Sequence, residues 1–375
     1  MSPFVVSKDM LGSELSIRVD GKSLKQVKGY GEDFVTGSDV TVAKALDEIF
    51  PVFGVQVPDL IPGELRLSYE TIHAGESVNW MRALGKERFV KNLKSFSQGI
   101  EKGIARVSES PYLNTLVESR RLLERLQPAL VDREEVERLL AESENGFLRS
   151  FLPETGHELP VVKYSHDSAT GRLRVTSGPK ILNLSKQHRQ VLKSRFRKGV
   201  IAMIDFVSLE PRTALLLTRD ETPIDIYEAM REETGSELSR AKLKVATLAS
   251  LYGSTHSDPA TMSVVNKFFR THEIHERHLS STPLVNLYGR PLVPENDRLR
   301  LPYFIQSTSV DVSLVGFGKI ARRYLEMVPL FVLHDALVVD IESDLYRELV
   351  SAPIEINVEP LGKYFLSIKR VEQDT

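Results

Sequence analysis

Two aspartates 130 residues apart are the residues of this sequence best placed to do chemistry. Asp205 closes the apolar run Val200-Ile201-Ala202-Met203-Ile204, so its carboxylate falls at the exposed end of a buried strand. A helix is expected directly after it, from SLEPRTALLLT, with Ser208 as its N-cap and Pro211 in its first turn. Asp335 lies at the tip of LFVLHDALVVDI, whose almost wholly apolar arms read as a hairpin. His and Asp tolerate positive φ better than most residues, so His334-Asp335 can make the tight turn. A single strand-end aspartate serves equally well as a turn or capping residue. Two of them brought together could bridge a pair of Mg²⁺ ions roughly 4 Å apart, activating an attacking oxygen and stabilising a leaving one in phosphoryl transfer.

A helix supplies the complementary charge. Arg240, Lys244, Leu248 and Tyr252 follow one another at four-residue steps, each step turning about 40° around the axis, so the four share a sector of about 120°. Two cations, an apolar contact and an aromatic ring in that order suit a triphosphate, a sugar and a base. The same spacing also describes an ordinary amphipathic helix with a basic solvent face. THEIHERH sets His272, His275 and His278 at three-residue steps. It lacks the HExxH arrangement, and the chain contains no cysteine, so a polar helix face is the better reading than a zinc site.

These residues need a scaffold, and the 375-residue chain is long enough for two or three domains or one multi-lobed core. Composition is that of a soluble globular protein, 41% hydrophobic and 27% charged. No cysteine means no disulfide and no thiolate metal site. The start, MSPFVVSKDMLGSELS, lacks a basic and then apolar leader pattern, and no run reaches the roughly 18 apolar residues of a membrane helix. The expected location is the cytoplasm, without membrane association. The formal charge of −2 conceals an asymmetry: residues 161–200 hold ten basic residues and one acid, and residues 82–106 hold seven basic residues and two acids. Such runs suit phosphate backbones. Taken alone they also describe solvated faces.

The pattern along the chain is mixed. Residues 1–80 carry short β-like runs (Leu15–Val19, Val52–Val57, Leu65–Tyr69) between Gly- and Pro-bearing turns. Residues 87–144 are helical and charged, as in YLNTLVESRRLLERL and REEVERLLAES. Beyond Leu159 strand-like and helical runs alternate: GVIAMID as a buried strand, SELSRAKLKVATLASLYG as a helix closed by Gly253, and the hairpin at 329–342. The expectation is an α+β protein whose strands come from distant segments.

Five ordered segments resemble those of family A DNA polymerases, the bacterial DNA polymerase I type, over residues 110–345. ATGRLRVTSGPKILNL (169–184) is similar to the segment that reads the primer–template minor groove. DFVSLEPR (205–212) resembles motif A, RAKLKVATLASLYG (240–253) motif B, QSTSVD (306–311) the helix before the last hairpin, and LHDALVVDI (333–341) motif C. The resemblance implies a right-hand fold with palm, fingers and thumb and an antiparallel palm sheet. The implied boundaries are an N-terminal segment of unassigned role at 1–86, a helical thumb at 87–155, palm at 156–212, fingers at 213–275, and palm again at 276–375.

The resemblance also implies roles. Asp205, Asp335 and the Phe206 backbone carbonyl would bind two Mg²⁺ ions, for which Mn²⁺ could substitute. Arg240 and Lys244 would grip the incoming triphosphate, with Lys244 assisting catalytically at the departing pyrophosphate. Glu210, against Tyr252, would fill the space of a ribose 2′-hydroxyl and so favour dNTPs. Tyr227 and Leu248 complete the nucleotide site, and Arg172, Asn183, Gln306 and His334 would touch primer–template DNA. The implied activity is a DNA-directed DNA polymerase of DNA replication or repair, compact and phage-like, with no assigned helicase or primase partner.

Departures from the family pattern accompany these matches. Ala336 stands where Glu is usual, Ser208 for Gln, Leu248 for an aromatic residue, Ala249 for Gly, Tyr227 for His, and Val332 and Pro302 for polar residues. The short Tyr227–Arg240 interval suggests trimmed fingers. No Asp-x-Glu occurs in residues 1–90, so no proofreading exonuclease is expected. Two other readings stay open: a single-subunit phage-type RNA polymerase, against which Glu210 argues, and a catalytically inactive polymerase-like DNA-binding scaffold, which Ala336 motivates.

Overall fold

The computed structural model describes residues 4–6, 15–20, 23–28, 34–36, 40–72, 80–142, 146–254 and 258–371. Much of the N-terminal segment expected at 1–86 therefore lies outside the described residues. The chain divides into two compact units, Met1–Arg120 and Arg121–Thr375, so the boundary falls inside the span read as a thumb.

The first unit opens with four short antiparallel strands, ordered Ser23–Lys28, Leu15–Asp20, Phe4–Val6, Phe34–Thr36. Helices follow at Val40–Val52, Gly63–Ile72, Trp80–Leu84 and Lys86–Val107. Phe89, Leu93, Phe96, Ile100 and Val107 recur at helical spacing along the last of these and are buried, while Lys91, Lys94 and Lys102 face outward. Two of the β-like runs are corrected. Val52 ends a helix, and Leu65–Tyr69 lies within one. Leu65, Leu67 and Tyr69 alternate with polar residues like a strand, yet Leu67 is 68% exposed. The pair that counts is Leu65 and Tyr69, one helical turn apart and packed on the unit's core, with Tyr69 set edge-on to Trp80 at 5.5 Å.

The second unit is built on a five-stranded, wholly antiparallel sheet. Its strand order is Val328–Leu333, Ala336–Glu342, Gly199–Phe206, Gly362–Arg370, Ile354–Val358. The run GVIAMIDF is the central strand, and its near-complete burial explains why it is apolar on both faces. The hairpin forms as expected: Leu333 pairs with Ala336, leaving His334-Asp335 as a two-residue connection with His334 at φ 54°.

One face of the sheet is covered by the long helix Arg300–Arg323, whose Phe317 meets Phe206 at 5.2 Å. Gly316 permits this approach, because a Cβ there would stand 2.6 Å from the Phe206 ring. Helices Ile226–Thr234, Arg240–Leu251 and Pro259–Phe269 form a separate group after Leu209–Leu216. Ser239 caps the second of these helices, its hydroxyl accepting from the Lys242 amide at 3.4 Å. The expected Ser208 cap is not made. Ser208 occupies the N-cap position in left-handed backbone (φ 54°) without a side-chain bond to the helix, and its hydroxyl meets the Tyr227 phenol instead.

Candidate active site

The two aspartates are brought together by strand register. Asp205 is paired directly with Ala336, the residue after Asp335, and the Phe206 N–H donates to the Asp335 carbonyl at 3.3 Å. Asp205 is half-buried and Asp335 exposed. Asp205's other cross-strand neighbour is Ser367. Two small side chains therefore flank the carboxylate and leave space over it. Hard oxygen donors with open space are what Mg²⁺ needs, since it keeps several waters and takes only one or two carboxylates. Among the described residues there is no group of three or more His, Cys, Asp or Glu side chains arranged around one point. The donors available for a metal are thus the two carboxylates with backbone oxygen such as the Phe206 carbonyl. Only three non-glycine residues among those described have positive φ, and two of them, Ser208 and His334, stand beside these aspartates. Backbone strain of this kind persists where a site requires it.

Asp335 lines a cavity of about 340 Å³ with His334, Arg172, Glu210, Tyr252, Gln306, Ser309 and Ser313. A chain of polar contacts crosses it. The Tyr252 hydroxyl donates to Glu210 Oε2, and Glu210 Oε1 accepts from Arg172 at 3.1 Å. The Gln306 amide, oriented by its partners, donates to Thr170 Oγ1 at 2.6 Å and accepts from both terminal nitrogens of Arg172 at 3.2 and 3.1 Å. Burial and the adjacent Glu210 push the Tyr252 phenol up to about 12, so it stays a donor at neutral pH. Burial and then Arg172 lower the His334 pKa, against the pull of Asp335, which keeps the imidazole neutral around pH 7.

The remaining residues singled out from the sequence lie outside this cavity's lining. Arg240 donates from Nε to Asp225 Oδ2 at 2.9 Å and lies 5.3 Å from the Tyr227 ring. The Asp225 carboxylate also caps the helix it precedes, accepting from the Tyr227 and Glu228 amides. Tyr227 is 2% exposed, so its ring is packed away beneath Arg240. Lys244 is exposed and Leu248 half-buried on the same helix, and Asn183 is exposed on the Ile181–Asn183 turn.

Beneath the cavity lies a buried polar layer that sequence reasoning missed. Asp311 accepts from Asn286 Nδ2 at 2.6 Å, and Asn286 also reaches Ser307 at 3.0 Å. Arg290 donates to the carbonyls of His166 (2.7 Å) and Ser168 (3.1 Å), holding the turn that leads to Arg172. Gly171 is required there, because a Cβ would stand 2.7 Å from the Arg290 guanidinium and φ is +78°. The only signal in the sequence was a polar cluster, QSTSVD, inside a helix with apolar flanks.

Burial pushes the Asp311 pKa up to about 6, against Arg290 and Asn286. A folded value above the unfolded one means the associated stability is present below pH 3.8 and lost as pH rises through about 6. The stability gap between Asp311→Asn and the native protein is therefore expected to shift in favour of the variant from pH 4 to pH 7, measured by denaturant titration. A pH-independent gap would remove this assignment. Ser309 is a second case: its hydroxyl is buried without a hydrogen-bond partner among the described residues. Such a group costs about 1–3 kcal/mol, so Ser309→Ala is expected to stabilise by about 1 kcal/mol, read as a higher Tm. A lower Tm would mean the hydroxyl is satisfied.

An antiparallel sheet with its carboxylates at the ends of paired strands, a long helix behind it and a helical group to one side defines the fold of a family A DNA polymerase domain. The solved POL domain of Pol1 from M. smegmatis, in complex with DNA primer–template and dNTP, superimposes with a TM-score of 0.55. It covers 89% of this chain and 82% of its own at 12% identity. No protein-family model and no curated protein sequence matches the chain. Among the described residues no helix is long and apolar enough to cross a membrane.

Proposed function

We propose that this chain is a template-directed DNA polymerase. It extends a primer by attack of the 3′-hydroxyl on the α-phosphate of a dNTP, with release of pyrophosphate. The observation that carries the reading is the register of the central strand: Asp205 opposite Ala336, with Asp335 one residue away at the mouth of a cavity lined by Arg172, Glu210, Tyr252, Gln306 and His334. Two Mg²⁺ ions, when bound, supply charge neutralisation at the attacking and leaving oxygens. Asp205 and Asp335 hold that charge in place. Arg172, Gln306 and the neutral His334 orient the primer end, while Arg240 and Lys244 receive the triphosphate once DNA and nucleotide draw Arg240 from Asp225. In this reading 87–155 is the thumb, 213–275 the fingers, and the sheet with its flanking segments the palm.

Glu210 sets sugar selection. Its carboxylate is fixed on both oxygens, by Tyr252 and by Arg172, so it cannot swing aside for a 2′-hydroxyl. Glu210→Ala is expected to lower the dNTP:rNTP preference in kcat/KM by roughly tenfold or more, about 1.4 kcal/mol or more of discrimination. Unchanged selectivity would remove Glu210 from this role.

The deciding experiment is primer extension with Mg²⁺ and with Mn²⁺, using dNTPs and rNTPs in parallel. Extension with dNTPs is expected. Preference for rNTPs would point to an RNA polymerase. Ala336 favours a second reading, because it leaves the position opposite Asp205 without a third carboxylate. Primer–template binding without extension under either metal would establish the scaffold instead.

A further inference from the structure

Directly paired residues on antiparallel strands project to the same face. Asp205 therefore shares its face with Ala336 and Ser367, and the next row back comprises Met203, Val338 and Lys369. This is the face opposite the one covered by the long helix, which packs on Phe206. Ser367 is exposed and Lys369 half-exposed, whereas Met203, between Lys369 and Val338, is buried. Arg189 reaches that row from outside the sheet, its Nη1 lying 3.8 Å from Met203 Sδ. The floor thus carries a hydroxyl, a carboxylate and a methyl in its front row. A row with two cations beside it lies about 6.8 Å behind, two residues along each strand.

We infer that Lys369 is a primer-backbone positioning residue: its ammonium takes a phosphodiester of the primer strand just upstream of the 3′ end, with Arg189 beside it. The inference rests on the polymerase reading. If the 3′-hydroxyl meets the carboxylates in the front row, the strand bearing it runs back over the floor. Left uncompensated, the Asp205 carboxylate of the front row and Asp335 in the adjoining turn would repel that strand. A lysine diagonal to Asp205 on the adjoining strand offsets the repulsion and, as a point charge on a flexible stem, follows the backbone without reading sequence. Ser367, between them, is small enough to let the strand approach.

The test measures primer–template affinity by fluorescence anisotropy across a KCl series for the full-length native protein, Lys369→Met and Lys369→Arg. Lys369→Met keeps the apolar stem and loses the charge. One lost phosphate contact is expected to reduce the slope of log K against log salt by about 0.9 and to weaken binding several-fold at low salt. Lys369→Arg is expected to restore most of both, while dNTP KM stays unchanged. A primer whose last two linkages are neutral methylphosphonates completes a double-mutant cycle: it should weaken the native protein's binding and leave Lys369→Met unaffected. If the slope is unchanged in Lys369→Met, or the modified primer weakens both proteins equally, the inference is overturned even where extension falls. A native protein that binds no primer–template at all would overturn the polymerase reading itself, which separates the two failures.

Discussion

Asp335→Ala and Asp205→Ala are each expected to lower the primer-extension rate on the order of 10³-fold or more, with primer–template binding retained. The argument runs from register to charge. Asp205 lies near the end of the central strand and Asp335 in the turn that opens the strand paired with it. These strands cannot slip without turning every buried side chain of the central strand to the opposite face. The separation of the two carboxylates is therefore held by the whole sheet. Removing either halves the negative charge available to the metals, and nothing nearby replaces it, since position 336 is alanine and position 367 serine. Binding should survive, because deleting an anion reduces repulsion of the phosphate backbone. Asp335 is exposed in a turn, so its loss is also expected to change stability by no more than about 0.5 kcal/mol. Single-turnover extension beside anisotropy binding separates the two effects. Undiminished extension in either variant would end the metal assignment.

The largest stability effect is expected at Arg212, which is fully buried. Its guanidinium donates to the carbonyls of Val207 (3.2 Å), Pro223 (2.8 Å) and Ile224 (2.9 Å) and to the Thr222 hydroxyl, and it lies 4.8 Å from the Phe365 ring. Burial pushes its pKa down to about 10, so it remains charged at neutral pH. Arg212→Met would fill similar space but put an apolar end where the guanidinium stood and take the donor from three carbonyls and a hydroxyl of the 207 and 222–224 segments. The expected loss is about 3–5 kcal/mol. For a unit of this size that corresponds to a fall in Tm of about 10 °C or more. Arg212→Lys should rescue little, because an ammonium cannot span a fork of carbonyls. The loop it holds runs straight into Asp225, the partner of Arg240, so residual activity should show a raised dNTP KM. A variant melting within about 2 °C of the native protein would show that the loop finds other donors.

Much of this site was legible in the chain because local rules and tertiary demands agreed. The apolar run ending at Asp205 read as a buried strand, and the apolar arms around His334-Asp335 read as a hairpin that these two residues could close; both form. The helix containing Arg240, Lys244, Leu248 and Tyr252 was likewise implied by its spacing and by the glycine that closes it, Gly253. The misreadings had equally local causes. Leu65–Tyr69 satisfies a two-residue period as well as a helical one over so short a span, and only the core of its unit decided between them. Ser208 has a good capping side chain, but the backbone entering the helix is left-handed and turns the hydroxyl toward Tyr227.

Charge was the feature least readable from sequence. The basic stretch at 161–200 counts ten cations, yet Arg172, Arg174, Lys193 and Arg195 have carboxylate partners at Glu210, Asp167, Asp132 and Asp340. Counting along the chain cannot distinguish a cation offered to phosphate from one bound within the protein. The sequence by itself determined the strand ending at Asp205, the hairpin around His334-Asp335 and the helix bearing Arg240 and Lys244, because burial periodicity and turn chemistry act over a few residues. Only the tertiary structure decided that Asp205 faces Ser367 and Ala336, that Glu210 is held by Tyr252 and Arg172, and that Asp311 lies buried under the cavity. Those outcomes depend on strand register and helix packing, which join positions as far apart as Asp205 and Ser367 through contacts that no local pattern encodes.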